Sequence, residues 1–175
     1  MPNYGSVNLE KFSEKCTLSS SSVLSLGLKI LEAIQLVHKA GYVYKDLKLD
    51  NLVVMGDHKR PKDVDLTLVD FGFASKFFYS IKTDEGIRHI HVDQKELDHF
   101  QGNLINASID QIEFQTPSRK DDLIGLCYLL CQLLRRDQLP YVDKVHNKFL
   151  RSKSLNESQI LYHTILEAKK KISTK

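Results

Sequence analysis

The chain has 175 residues, of which 42% are apolar and 27% are charged, and its formal net charge is +3. This length suits one domain, and the composition excludes wholesale disorder and collagen-like repeats. The small charge gives no argument for a nucleic-acid partner. One of the three cysteines must remain unpaired, which favours a reducing, intracellular location in the cytoplasm or nucleus.

Membrane association is not expected from the sequence. The apolar runs are interrupted by Gly, Lys, Glu or Gln before they reach the roughly 18 residues of a membrane span. Residues 1–4 lack the basic and apolar regions of a signal peptide. We therefore expect a soluble intracellular protein, and the sequence leaves its oligomeric state open.

The first strong element is a helix predicted over residues 22–38. Its apolar positions recur at steps of four and three: Val23, Gly27, Ile30, Ile34 and Val37. Leu24, Leu28 and Leu31 widen this stripe, so the helix is predicted to be mostly buried. The serines at 19–22 are candidates for the N-cap, although a serine run is also compatible with phosphorylation.

Short strands are predicted next. Residues 42–44 are β-prone, and residues 52–54 and 66–69 read as two strands joined by a polar turn. Each of these two strands borders an acidic residue, which suggests a hairpin with a site at its edge.

The second half of the chain is predicted to be helical after one long connection. Residues 75–117 are polar and weakly periodic, and a connection this long is usually functional or mobile. Residues 123–134 are apolar nearly all round, as in a helix at the centre of a domain, and Asp121 and Asp122 suit its N-terminal dipole. Residues 158–172 form a last predicted helix.

Four side chains carry the chemistry: Asp46, Lys48, Asn51 and Asp70. They supply a carboxylate that can accept a hydroxyl proton, a cation beside it, and two oxygen ligands for a hard metal ion. Phosphoryl transfer needs these parts, because it depends on an oriented nucleophile, bound Mg²⁺ and positive charge near the phosphates.

These residues resemble the motifs of protein kinases. Residues 44–51 match the catalytic-loop signature H-R-D-L-x-x-x-N, and residues 70–72 match D-F-G. The resemblance implies that Asp46 is the catalytic base, that Lys48 steadies the γ-phosphate of ATP, and that Asn51 and Asp70 hold Mg²⁺. A lysine two places after the aspartate looks like the serine/threonine class.

The kinase resemblance also implies a fold and a nucleotide pocket. Val53 and Val69 would line the floor of the adenine pocket. The expected fold class is α+β, mainly helical, and residues 1–175 would form a partial kinase domain: the larger C-terminal lobe without the N-terminal β lobe.

Further segments resemble the casein kinase 1 family. Residues 100–103 and 106–109 look like the segment that replaces the usual kinase motif A-P-E in that family. Residues 118–123 resemble its S-R-R-D-D-L motif, and residues 139–141 resemble its L-P-W motif. The resemblance implies a protein substrate phosphorylated on serine or threonine. Asp122 would brace the catalytic loop. Arg119 and Lys120 are candidates for an anion site reading acidic or already phosphorylated substrates, or else a solvated pair.

The sequence departs from the kinase pattern in two ways. Tyr44 replaces the usual histidine and Lys45 the usual arginine, which loses the planar bidentate fork. No glycine-rich loop and no V-A-I-K lysine precede Asp46, and preorganised charge contacts of this kind are worth roughly 10²–10³ each in rate. We therefore expect the chain alone to be nearly inactive, and a silent kinase fragment that acts as a binding module is the rival hypothesis.

Other candidate sites favour structural roles. Cys127 and Cys131 lie one helical turn apart but lack partner ligands nearby in sequence, so we expect small buried hydrophobes. His89, His91 and His99 do not form a zinc pattern and are predicted at the surface. Lys169 and its two following lysines are predicted to be a solvated helix end.

Overall fold

A computed structural model describes residues 7–57, 59–135 and 155–173. Within them the chain is mainly helical, with three small antiparallel sheets. The helices are α1 (Leu9–Lys15), α2 (Ser20–Lys39), α3 (Ile109–Ile112), α4 (Arg119–Arg135) and α5 (Leu155–Ser173). The strands are β1 (Val7–Asn8), β2 (Tyr42–Val43), β3 (Leu52–Met55), β4 (Asp65–Leu68), β5 (Ser75–Lys76), β6 (Phe78–Thr83) and β7 (Gly86–His91).

Helix α2 begins where the serine run predicts. The side chain of Ser19 accepts a hydrogen bond from the main-chain N–H of Ser22 at 3.1 Å, which confirms the capping prediction. The prediction of a mostly buried helix was wrong. Leu24, Leu28 and Leu31 are 62%, 63% and 40% exposed, because the described neighbours cover one face of α2. That face packs against α4 and β4.

Helix α2 is, among the described helices, the one long and apolar enough to cross a membrane by length and composition. Val23, Ile30 and Ile34 on its covered face are buried in the main hydrophobic core. A core helix of a globular domain passes the same test of length and composition.

The predicted hairpin of β3 and β4 is confirmed. The two strands pair antiparallel, with Leu52 opposite Leu68, and β1 adds to the other edge of β3. Strand β2 pairs instead with β5, in a separate two-stranded ladder. The catalytic-loop residues therefore lie between two small sheets.

Residues 75–117 contain more structure than the sequence predicts. Strands β6 and β7 form a hairpin in register from Phe78 opposite His91 to Thr83 opposite Gly86. Both strands are largely exposed, so neither shows the alternation of a half-buried strand. His89, His91 and His99 are exposed, as predicted.

Helix α4 is buried along one side only, and this overturns two predictions. Leu126, Leu129 and Leu133 lie in the main core, and Leu130 meets Gly27 of α2, where an added Cβ would lie 3.0 Å from the leucine side chain. Tyr128 packs against a second, smaller cluster that includes Leu161 and Ile165 of α5, and the other apolar side chains face outward. Those that are exposed are Leu123, Ile124, Cys127, Cys131 and Leu134. The two cysteines are therefore exposed thiols rather than buried hydrophobes.

Candidate active site

The candidate catalytic loop lies between β2 and β3. The carboxylate of Asp46 is 2% exposed and is held from two sides. Lys48 Nζ donates to Asp46 Oδ2 at 2.9 Å, and Asn51 Nδ2 donates to the same oxygen at 2.8 Å and to the main-chain carbonyl of Asp46 at 3.0 Å. Three of the four predicted side chains thus form one cluster.

The segment that carries Asp70 runs beside this cluster just after the end of β4. The main-chain N–H of Val69 donates to the carbonyl of Asn51 at 2.9 Å, which joins the two segments one residue before Asp70. Asp70 has φ of 59°, in the left-handed region that aspartate tolerates better than most residues. Its Oδ1 accepts a hydrogen bond from Gly72 N at 3.2 Å, and this turns the chain away from the strand.

Tyr44 stands where the histidine of the motif is expected, and it links the loop to Asp70. Its hydroxyl donates to the carbonyl of Val69 at 2.6 Å, and its ring meets Phe71 edge-on with centroids 5.4 Å apart. Burial raises the pKa of Tyr44 strongly, and the charges of Asp46, Asp70 and Asp122 raise it further, whereas a hydrogen bond with Asn51 opposes the rise. Tyr44 therefore stays a neutral donor.

Asp122 on α4 braces the loop, as the resemblance implies. Its two carboxylate oxygens accept hydrogen bonds from the main-chain N–H groups of Tyr44 and Lys45, each at 2.8 Å. The Oδ2 atom also lies 2.7 Å from Nε2 of His38 at the end of α2. Asp122 is 2% exposed, so this buried carboxylate fixes the start of the loop from the core of the domain.

A second support comes from the segment after β7. Lys45 Nζ donates to Gln101 Oε1 at 2.6 Å, and burial lowers the pKa of Lys45, which Asp122 opposes. Gln111 Nε2 donates to the carbonyls of Lys45 and Gln101 at 3.2 and 3.3 Å. Gly102 has φ of 112°, and a Cβ there would lie 2.2 Å from the Lys45 carbonyl oxygen. Only glycine fits this approach.

A third support follows in the same segment. Asn106 Nδ2 donates to the carbonyl of Leu47 at 2.9 Å, one residue after Asp46. Ser108 caps α3 and donates through its hydroxyl to the buried carboxylate of Asp121 at 2.6 Å. Asp121 also accepts hydrogen bonds from the N–H and hydroxyl of Ser118. Asp121 and Asp122 therefore act as specific hydrogen-bond acceptors, beyond the helix-dipole role expected of them.

Comparison with known proteins shows the family of this chain. The protein kinase domain family matches residues 3–150 of the chain. The chain belongs to the protein kinase family. Among curated proteins, the casein kinase 1-like protein HD16 of Oryza sativa subsp. japonica is 30% identical over 124 residues, which are 71% of this chain. The chain matches only 16% of that relative's length. This similarity confirms the resemblance to casein kinase 1-like proteins.

The remaining residues predicted for the kinase site lie around the β3–β4 hairpin. Val53 is half-buried on β3, opposite Asn8 on one side and Thr67 on the other. Val69 is half-buried directly after β4. Val53 lies two residues after Asn51, and Val69 directly precedes Asp70. The casein kinase-like residues 139–141 lie outside the described residues.

The two predicted anion-site residues of the kinase differ in their surroundings. The guanidinium of Arg119 lies over the ring of Phe77, 4.7 Å from its centroid. Lys120 instead forms an ion pair with Asp110 at the surface. Both residues border a cleft of about 330 Å³ that is also lined by Lys76, His91 and Asp110. Because Asp110 already pairs with Lys120, Arg119 is the stronger candidate.

Sequence reasoning missed several supporting residues of the candidate site. Gln101 and Gln111 carry no motif by themselves, since amides are common on surfaces, and His38 looks like an ordinary helix-end histidine. Lys169 is the clearest error. It was predicted at a solvated helix end, but it is 0% exposed. A glycine inside the segment 100–103, at Gly102, was the one available signal of a close backbone approach.

Proposed function

We propose that this chain carries the catalytic and metal-binding side chains of a serine/threonine kinase of casein kinase 1 type, which transfers phosphate from Mg-ATP to a protein hydroxyl. The observation that carries the proposal is the convergence of Lys48 and Asn51 on Oδ2 of buried Asp46, at 2.9 and 2.8 Å. The Lys48 side chain stays 31% exposed while it pairs with the buried carboxylate, which places positive charge where a phosphate could approach it.

In this proposal Asp46 acts as the base. Its carboxylate accepts the proton of the substrate hydroxyl as that oxygen bonds to the γ-phosphorus, while the bond to the bridging oxygen breaks and ADP leaves. Lys48, whose side chain is 31% exposed, holds Asp46 and offers its positive charge to the phosphate oxygens. Asn51 donates to the same carboxylate oxygen as Lys48, so that Asp46 meets the hydroxyl in one orientation.

The residues present fit a magnesium ion and its nucleotide. Asn51 uses its amide N–H groups on Asp46, which leaves its side-chain oxygen for a metal, and the exposed carboxylate of Asp70 supplies an anionic oxygen. Both are hard ligands of the kind that Mg²⁺ prefers. When bound, Mg²⁺ neutralises charge on the phosphates. Val53 and Val69, both half-buried in or next to the hairpin, would contact the adenine, as the kinase resemblance implies.

The substrate is proposed to be a protein with acidic or already phosphorylated residues near its acceptor hydroxyl. The cleft beside Arg119 supports this, since it is lined by the guanidinium of Arg119, Lys76 and His91, while Asp110 at the same cleft is paired with Lys120. Guanidinium groups bind phosphate and carboxylate in bidentate geometry. Cysteine content favours an intracellular location for this reaction.

Transfer of radiolabelled phosphate from Mg-ATP to casein tests the proposal. We expect slow but measurable transfer by the chain, which Asp46→Asn reduces to background. Asp50→Asn is the matched control in the same loop, because Asp50 contacts Asn8 and not the proposed catalytic cluster. Absence of transfer by the wild-type chain, with casein still bound, would instead establish the silent binding module.

A further inference from the structure

Lys169 on α5 is a buried lysine whose ammonium group closes over residues 104–107. It donates hydrogen bonds to the carbonyl of Ile105 at 2.8 Å, to that of Leu104 at 3.4 Å, and to that of Ala107. The ring of Tyr128 on α4 lies beneath the ammonium, with its centroid 4.1 Å from Nζ. A buried charge costs several kcal/mol unless such partners surround it. The lysine therefore ties α5 to one particular conformation of this loop.

The loop that Lys169 holds also contacts the catalytic loop. Asn106 lies between Ile105 and Ala107, two of the residues that Lys169 binds, and its Nδ2 donates to the carbonyl of Leu47 at 2.9 Å. Leu47 directly follows Asp46. The Oδ1 atom of Asn106 is buried and has no hydrogen-bond partner among the described residues. The position of this amide therefore depends on its backbone, which Lys169 fixes on both sides.

We propose that Lys169 is a positioning residue for Asp46, acting through residues 104–107 and the Asn106–Leu47 hydrogen bond. The role in catalysis rests on the kinase function proposed above, whereas the mechanical link does not. Residues 104–107 and Lys169 are more than 60 positions apart in sequence, so these hydrogen bonds connect α5 to the catalytic loop from a distant part of the chain. Lys169 does not itself touch the proposed reacting groups.

Hydrogen–deuterium exchange on the full 175-residue chain tests the link. The test variant is Lys169→Met, which removes every donor, and Lys171→Met is the control because Lys171 is exposed on the same helix. We expect exchange to quicken about tenfold or more at residues 103–108 and also at residues 44–51, where Asn51 N donates to the Lys48 carbonyl. Lys171→Met should match the wild-type chain in both segments. If Lys169→Met fails to fold, Lys169→Gln, which retains two N–H donors, takes its place.

Two outcomes would overturn the proposal. Faster exchange confined to residues 103–108 would show that the loop moves without the catalytic loop, and unchanged exchange in both would show that Lys169 holds neither. In an Asn106→Ala background, Lys169→Met should not increase the exchange rate at residues 44–51 any further. A further increase there would also contradict the proposed route through Asn106.

Kinetics separate this inference from the proposed function. If the chain transfers phosphate, Lys169→Met should lower kcat about tenfold and leave KM for casein within about twofold, because substrate contacts are untouched. A matched rise in KM with unchanged kcat would contradict positioning of Asp46. If the wild-type chain transfers no phosphate while exchange responds as expected, the mechanical link holds and the kinase proposal fails.

Discussion

The hydroxyl of Tyr44 donates a 2.6 Å hydrogen bond to the main-chain carbonyl of Val69, the residue before Asp70. The Tyr44 ring also meets Phe71, the residue after Asp70. One buried side chain therefore fixes the backbone on both sides of the proposed metal ligand. The histidine expected at this place in the motif is replaced by a residue that makes a polar and an aromatic contact at once.

Removal of that hydroxyl should loosen Asp70 while leaving the ring contact in place. We expect Tyr44→Phe to lower the free energy of unfolding by about 1 kcal/mol, because the Val69 carbonyl loses its partner, and to lower phosphate transfer. Urea denaturation followed by circular dichroism measures the first effect. Tyr79→Phe, at a tyrosine 56% exposed on β6, should change stability by less than about 0.5 kcal/mol. Equal losses from the two variants would contradict the role given to Tyr44.

Gly102 should tolerate no side chain, because a Cβ would meet the Lys45 carbonyl oxygen at 2.2 Å. We expect Gly102→Ala to destabilise the chain by about 3 kcal/mol or more, through clash and backbone strain together. Gly86→Ala isolates the strain, since Gly86 has φ of 123° and a Cβ there meets nothing within 4 Å. It should cost about 1–2 kcal/mol. Chemical denaturation of both variants measures the difference, and similar costs would exclude the close approach at Lys45.

Lys169 should make stability depend on pH above neutrality. Burial lowers its pKa from 10.5 to about 7, whereas the unfolded chain keeps the ordinary value. Between these values the unfolded state binds more protons, so the free energy of unfolding should rise with pH by up to about 1.4 kcal/mol per unit. Tyr128 faces the ammonium, and burial raises its pKa, so it stays neutral near pH 7 to 9.

Comparison of wild-type and Lys169→Met chains isolates this dependence. The difference in unfolding free energy between them, measured from pH 6 to pH 9, should be flat below about pH 7 and should then favour the wild-type chain increasingly. Other ionisable groups are shared by both chains and cancel. A difference independent of pH would mean that Lys169 keeps its proton throughout, and this would contradict the lowered pKa.

Arg119 should distinguish phosphorylated from unphosphorylated substrates. We expect Arg119→Ala to reduce the preference for a phosphorylated peptide over its unphosphorylated form about tenfold, since a charge-assisted hydrogen bond is worth about 1.5–3 kcal/mol. The ratio of kcat/KM values for the two peptides measures this preference. Arg60→Ala removes an exposed arginine elsewhere and should leave the ratio unchanged. An unaltered ratio in Arg119→Ala would remove the cleft from the proposed substrate path.

The β3–β4 hairpin and the catalytic cluster could be predicted because their signals are local. Apolar residues flank a polar turn, and Asp46, Lys48 and Asn51 lie within six positions of one another. The spacing then dictates that they share one loop. Helix α2 was predicted for the same reason, since its period of 3.6 and its serine cap are written in consecutive residues.

The errors share a different cause, which is that burial depends on distant neighbours. Three consecutive lysines predict a solvated helix end, and nothing nearby in sequence shows that three carbonyls of residues 104–107 surround Lys169. Leu28 and Cys127 look like core residues because they are apolar, but no described segment covers them. The β6–β7 hairpin escaped prediction because both its faces are exposed.

Metal-nucleotide binding tests the central claim most directly, because it does not depend on turnover. In NMR spectra of the chain, MnATP should broaden the side-chain amide of Asn51 and the backbone resonances of Asp46 and Asp70. Asp70→Asn removes the anionic ligand. It should therefore raise the MnATP concentration needed for the same broadening at least about tenfold. Broadening centred elsewhere, or broadening that Asp70→Asn leaves unchanged, would contradict a shared metal site at these residues.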